Sequence, residues 1–383
     1  MKRTFLSAAV AALMAASTVA TGAAAETKIG MITTLSGGGS HLGIDARDAF
    51  MLAIEEAGNP EVVVIEKDDA QKPDVAKSLA DELIQKDKVD VLTGIIWSNL
   101  AMAVVPGTVR QGVFYVSVNA GPSALAGKGC HENYFNAAYQ NDNLHEAMGA
   151  YMKEQGFKKP FIVAPNYPAG KDSLTGFKRL YEGEPVAEIY TQLGQTDYAA
   201  EIAQIRASGA DSVFFFLPGG MGIAFMKQYA GAGVDIPVFG PAFSFDEVIL
   251  GAVGDAAIGV KNTAEWSHDL DIAKSKAFVE AFKAKYGRTP TIYAAQSYDA
   301  ANLILSAIAK ADPKTDPDGF RAALKAAEFD SVRGDFKFGN NNHPIQDIYV
   351  REVVAGEGKP TNKVIGVAVK QRQDVYAAEC DLK

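Results

Sequence analysis

From residue 27 the chain alternates two kinds of pattern. Short runs of β-branched and apolar residues predict strands at 28–34, 61–66, 89–96 and 113–118. Between them, apolar residues return every three or four positions and predict helices at 44–57, 73–85 and 100–110. The first helix carries Ile44, Ala49, Leu52 and Ala53 on one face and stops at Gly58, Asn59 and Pro60. Strands separated by helices imply a parallel sheet covered on both faces. The rhythm then restarts, with helices at 143–155, 171–181, 198–207 and 221–230 and strands at 160–164, 186–190, 211–217 and 237–240. Two similar arrays predict an α/β protein of two similar lobes.

The last third is too poor in strands to form a sheet of its own. Helices are expected at 273–286, 297–310 and 320–327, and antiparallel strands at 336–338, 348–354 and 364–370. The chain is therefore expected to cross back, giving its helices to the first lobe and its strands to the second. Lobe 1 is assigned residues 26–143 and 272–338, lobe 2 residues 144–271 and 339–375, and a C-terminal tail 376–383. No Pro- or Ser-rich linker separates the lobes, so the crossings form a hinge.

The first 25 residues change the picture of where this fold works. Lys2 and Arg3 precede an apolar and small-residue stretch, and Ala23 to Ala25 offer a cleavage site before Glu26. That order reads as a secretory leader. The stretch is Ala-rich and lacks a basic stop-transfer flank, and no Cys stands at the cleavage site, so neither a membrane anchor nor a lipid anchor is expected. Of 383 residues, 358 remain after the leader. That length exceeds the roughly 250–300 residues at which one core stops growing. The net charge of −9, without Lys/Arg blocks, argues against nucleic acid or an anionic membrane as partner. In the remaining sequence no apolar run reaches the roughly 20 residues of a spanning helix, so any transport role needs a separate channel. The two cysteines, Cys130 and Cys380, read as one disulfide in an oxidising compartment. A metal pair or a redox dithiol has no C-x-x-C and no histidine at ligand spacing to support it.

Motifs of catalysis are missing: no G-x-S-x-G, no H-E-x-x-H and no phosphate-binding G-K-[ST] loop. His41, His131, His145, His268 and His343 are dispersed. No metal and no cofactor is called for. The glycine run at 36–40 fails the dinucleotide spacing because Leu42 stands where a third glycine belongs. Its amides are expected instead to help hold the anionic group of a small solute. Six polar or aromatic loops follow strands at the edge where open α/β sheets bind ligands. They are 97–99, 119–121 and 139–141 in the first lobe, and 166–170, 218–220 and 241–244 in the second.

Several stretches then carry a resemblance. They are 29–43, 94–106, 166–177, 196–205, 297–307 and 334–344, and through them the mature chain resembles, nearly end to end, the type I periplasmic binding proteins of the leucine/isoleucine/valine-binding family. The resemblance implies two Rossmann-like lobes joined by three crossovers, closing on a solute that is handed to the membrane permease subunits of an ABC importer. It implies no enzymatic activity, a periplasmic location and a monomer. The family's carboxylate-holding Ser and backbone amides fall on Ser98, with Trp97 and Asn99 beside it, and on Asn119, Ala120 and Gly121. The ligand's other end falls to His41 and Leu42, and the aromatic contact to Tyr167. Tyr139, Gly219, Phe243 and Trp266 complete the expected binding set. One departure matters. Amino-acid binders of the family place an acidic residue where this chain has Ala242, so a buried ammonium would lack its counter-charge. Asp246 and Glu247 follow, where they are expected to support a helix N-terminus. Stretches 119–123, 127–130, 214–222 and 331–336 are also similar to a subgroup that takes up aromatic acids. The expected ligand is thus a small aromatic carboxylate of benzoate or hydroxycinnamate type, with a branched-chain or other amino acid as the alternative. A lobe that presents a ligand to a receptor kinase is a third possibility within the family, without a following membrane segment to favour it.

Overall fold

The computed structural model describes residues 26–382; the expected leader, 1–25, lies outside them. Five strands form one wholly parallel sheet: β1 (Thr27–Thr33), β2 (Val62–Asp68), β3 (Val91–Thr93), β4 (Phe114–Ser117) and β5 (Tyr134–Asn136), in the order β2-β1-β3-β4-β5. The central strands are buried on both faces, as crossover helices demand. Those helices are α1 (Ser40–Ala57), α2 (Pro73–Glu82), α3 (Ser98–Arg110) and the short α4 (Ser123–Ala126).

After β5 the chain crosses through α5 (Asp142–Glu154) to an eight-stranded sheet. Its parallel part is β6 (Pro160–Pro165), β7 (Ala187–Thr191), β8 (Ser212–Phe215), β9 (Val238–Pro241) and β10 (Lys261–Ala264). The intervening helices are α6 (Pro168–Tyr181), α7 (Ala199–Ala207), α8 (Gly220–Gly231) and α9 (Glu247–Val253). The chain then returns. Helices α10 (Ala273–Tyr286), α11 (Ile292–Ile308) and α12 (Pro317–Ala326) serve the first sheet: α11 packs along α1, and Phe320 of α12 meets Phe114 of β4 edge-on at 4.8 Å. A third crossing adds β11 (Lys337–Phe338), β12 (Pro344–Val354) and β13 (Thr361–Arg372) antiparallel to the second sheet. Two lobes and three crossovers are the observed architecture.

The element boundaries differ from the sequence pattern where capping decides them. α11 begins at Ile292, five residues ahead of the predicted start, because the Thr291 hydroxyl accepts from the Ala294 amide. α12 begins at Pro317 because Asp316 caps it at Gly319. α1 starts at Ser40 rather than 44. Two strands escaped the pattern. β5 has three residues, and β10 reads Lys-Asn-Thr-Ala, with no apolar run to betray it. β10 is held by polar groups: Asn262 accepts from Arg351 at 2.9 Å and donates to Asn362 at 2.8 Å, all buried.

Candidate functional site

The loops that leave both sheets at their C-terminal edges line a cavity with about 350 Å³ of empty space, part of it open to solvent. From the first lobe come Leu42 of α1, Ile96 to Ser98 ahead of and on α3, Asn119 after β4, and Tyr139 and Asn141 after β5. His145 of α5, Tyr167 and Ala169 at the head of α6, Phe216 and Pro218 after β8, and Phe243 after β9 face them. Tyr293, on the first turn of α11, completes the wall.

The local sequence explains how aromatic rings reach this space. Trp97 and Tyr167 occupy the N-cap positions of α3 and α6 in extended conformation, where Ser, Thr or Asp would ordinarily cap. Neither caps its helix; their rings approach each other at 6.4 Å across the cavity. Trp97 is fixed by its Nε1–H, which donates to the Thr34 hydroxyl at 3.1 Å. Gly39 must be glycine because a Cβ there would lie 2.4 Å from Trp97 Cζ2. Tyr167 stacks on Phe216, and Phe243 touches Tyr139, Phe216 and Tyr293, so the rings form a continuous aromatic wall.

The polar groups converge on the opposite side. The Trp97 carbonyl takes the amides of Leu100 and Ala101, and no side chain caps α3, which leaves the amides of Ser98 and Asn99 open toward an anion. Ser98 Oγ accepts from Asn141 Nδ2 at 3.1 Å, so its own O–H is free to donate. Asn141 also donates to Asp172 Oδ2 at 2.8 Å, and Asp172 takes the amide and hydroxyl of Ser123. These bonds run from α6 of the second lobe to α4 of the first. Tyr139 OH donates to Asn119 Oδ1 at 2.9 Å, and Asn119 Nδ2 donates to the Ile96 carbonyl.

None of the lining side chains is an acid, a lysine or an arginine. His145 is neutral, since burial among Phe214, Phe216 and Phe243 pushes its pKa down to about 3. The acids close behind the wall do not line it, and Glu265 there accepts from Gln296 through one oxygen only. Burial raises Asp172, against the hydrogen bonds from Ser123 and Asn141. Asp246 is pushed up to about 7 by burial and accepts the Ile292 amide at 2.7 Å. Glu247 accepts from Asn362 and Thr361. Neither of the last two caps α9 with its side chain or faces the cavity.

Of the expected contact residues, the fold brings Leu42, Trp97, Ser98, Asn119, Tyr139, Tyr167 and Phe243 to the cavity. The others go elsewhere, each for a physical reason. Gly121 spends its amide on Asn141 Oδ1, and the Ala120 carbonyl accepts from Ser117, so this loop braces the site from behind. Asn99 turns away on the first turn of α3. His41 and Gly219 meet at the lip between the lobes, where a Gly219 Cβ would lie 3.4 Å from the imidazole. Trp266 lies in the core, with Nε1–H on Ser275 Oγ and its ring against Phe278. The glycine run at 36–40 contributes no amide to the cavity wall. Sequence reasoning missed Asn141, His145, Phe216 and Tyr293. Asn141 sat in a loop already singled out; the others lie on helices or beside a strand end, and only lobe packing brings them in.

Comparison with known proteins agrees with this geometry. Residues 26–359 match the periplasmic binding protein family, and the chain belongs to it. The two lobes and the cleft define a type I periplasmic binding protein, a non-enzymatic solute-binding component of ABC transporters whose family places it in the periplasm. More particularly, it belongs to the family of the leucine/isoleucine/valine-binding proteins. It is 30% identical over 380 residues to Leu/Ile/Val-binding protein homolog 6 of Brucella melitensis, covering 95% of this chain and 97% of that one. A solute-binding protein of an ABC transporter from R. palustris, solved in complex with benzoate, is 32% identical with a TM-score of 0.88, covering 94% of this chain and all of that one. Another, from Rhodopseudomonas palustris BisB5 in complex with 3,4-dihydroxybenzoic acid, is 30% identical with a TM-score of 0.83, over 91% and 98% of the two chains.

Proposed function

We propose that the protein captures a small aromatic monocarboxylate, of benzoate or hydroxycinnamate type, between its lobes and delivers it as a monomer to the permease of an ABC importer. The observation that carries this reading is the make-up of the wall, with six aromatic rings, an uncapped helix N-terminus beside a free serine hydroxyl, and no charged side chain. The carboxylate would sit on the Ser98 hydroxyl and the first-turn amides of α3, with the ring among Tyr139, Tyr167 and Phe243. Fixed dipoles suffice for one buried negative charge that keeps several hydrogen bonds. A bound amino acid would also bury an ammonium, and an unpaired buried charge is strongly unfavourable. The relatives named for leucine, isoleucine and valine favour that second reading, but Ala242 stands where their acid would be and no acid lines the cavity.

Calorimetry with benzoate, 4-hydroxycinnamate, leucine and valine separates the two. Binding of an aromatic acid with no heat from either amino acid is expected. Tight leucine binding with no response to aromatic acids would overturn the assignment.

A further inference from the structure

A second chamber, with about 410 Å³ of empty space partly open to solvent, lies beside the cavity and shares Trp97 and Pro218 with it as a common partition. Its walls come from both lobes: Gly38, Gly39 and Gln71 on one side, and Gly194 to Thr196, Gly220 and Met221 on the other. No lining side chain is charged. Among the described residues no protein group bonds the side-chain amide of Gln71, whereas Gln195 is engaged by Asp197, Glu201 and Gln192.

Four glycines face this space, and two have local explanations. Gly39 lies under the Trp97 indole, and Gly194 has a φ of 85°. Gly38 and Gly220 have neither. Both have ordinary φ. A Cβ on Gly38 would meet nothing within 4 Å, and one on Gly220 would meet only the Gly38 carbonyl oxygen, at 3.5 Å across the gap. Glycine costs conformational entropy at any position that does not need it, yet here it keeps two opposed lips bare. The consequence is mostly apolar space beside the ligand cavity, set off from it by Trp97 and Pro218, with a free Gln71 amide on its wall.

We propose that this outer chamber is part of the binding site and that the far end of the ligand passes between Trp97 and Pro218 into it. Resting on the aromatic-acid reading above, this narrows the ligand class. The protein prefers a phenylpropenoate-type acid, with a two-carbon spacer between carboxylate and ring and a neutral hydrogen-bonding group at the far end, over a benzoate. With the carboxylate at Ser98, a benzoate ends inside the inner cavity, whereas the longer acid places its terminal hydroxyl near Gln71.

Calorimetry on the mature protein tests this with benzoate and 4-hydroxycinnamate, on wild type and on Gly38→Leu and Gly220→Leu. Both glycines are exposed, and the wild-type preference stands as evidence without either variant. Wild type is expected to bind 4-hydroxycinnamate about tenfold tighter than benzoate, as burying two more carbons allows. Each variant should lose about tenfold for 4-hydroxycinnamate and less than about threefold for benzoate. Equal wild-type affinities, or variants that weaken both acids alike or neither, would overturn the proposal. So would slower association of both acids at unchanged Kd, which marks an entrance passage only. Binding of benzoate without preference for the longer acid sinks this inference alone; binding of neither acid sinks the functional reading beneath it.

Discussion

At the scale of single residues, Ser98 is the point where the site's chemistry concentrates. Asn141 donates to its oxygen, which leaves the Ser98 proton free to donate. Ser98→Ala should therefore remove one hydrogen bond to a charged group, worth about 1.5–3 kcal/mol. The Kd measured by calorimetry should rise about tenfold to a hundredfold. His145 supports a different prediction. Its native pKa of about 3 lies below the ordinary 6.5. On acidification the unfolded chain takes up a proton that the native state refuses, so this residue costs stability as pH falls through 6.5. Relative to a His145→Asn variant, wild type should lose about 1.4 kcal/mol per pH unit between pH 6 and 4 in chemical denaturation. A constant difference across that range would mean that the imidazole is protonated in the folded state. The contrast between these residues also shows what sequence conveys. Ser98, Trp97 and Tyr167 were legible because each stands just after a strand, at the edge where such sheets bind. His145 reads as a helical position like any other until α5 is seen crossing beneath the cleft, and Trp266 reads as a stacking surface until Ser275 claims its N–H.

Among elements, the contact between α6 and α4 is the one that joins the lobes at the ligand. Asp172 receives two bonds from Ser123 and one from Asn141, and Asn141 in turn holds Ser98. Asp172→Ala should leave buried donors without acceptors and loosen the closed form. Because those bonds tie α6 to α4 across the lobes, stopped-flow kinetics should show dissociation faster by about tenfold or more with association nearly unchanged. A loss confined to the association rate would assign Asp172 to the open form instead. Helix and strand existence was mostly readable from period; the exceptions are instructive. β10 is a buried strand without a hydrophobic signature because its stability comes from Asn262, Asn362 and Arg351 bonding one another. A pattern of apolar residues cannot report a strand held by amides.

For the molecule as a whole, the two-lobed plan followed from the repeated βα rhythm, while the number of crossings came from family resemblance. The reason is physical: a crossing is an ordinary loop locally and acquires meaning only from what lies on either side. The structure shows how these loops act together. Arg333, after α12, donates to the carbonyls of Ala137 and Ala138 in the first crossing and to Asp299 and Gln346, so the first and third crossings are pinned to one guanidinium. A hinge so tied favours rigid-body motion. Small-angle scattering should report a smaller radius of gyration with saturating ligand, and light scattering a monomer in both states. An unchanged radius with binding independently confirmed would count against closure.

The bond between Cys130 and Cys380 joins the loop before β5 to the segment that follows β13, 250 residues apart in sequence. Everything between those two sulfurs is consequently a ring, and a ring must be cut twice to come apart. A single protease cut in the exposed turn at 355–359 should leave both fragments covalently joined. They should migrate as one species without reductant and separate only after thiol treatment. A nicked molecule thus keeps its two pieces tethered, side by side, for as long as the bond stays oxidised.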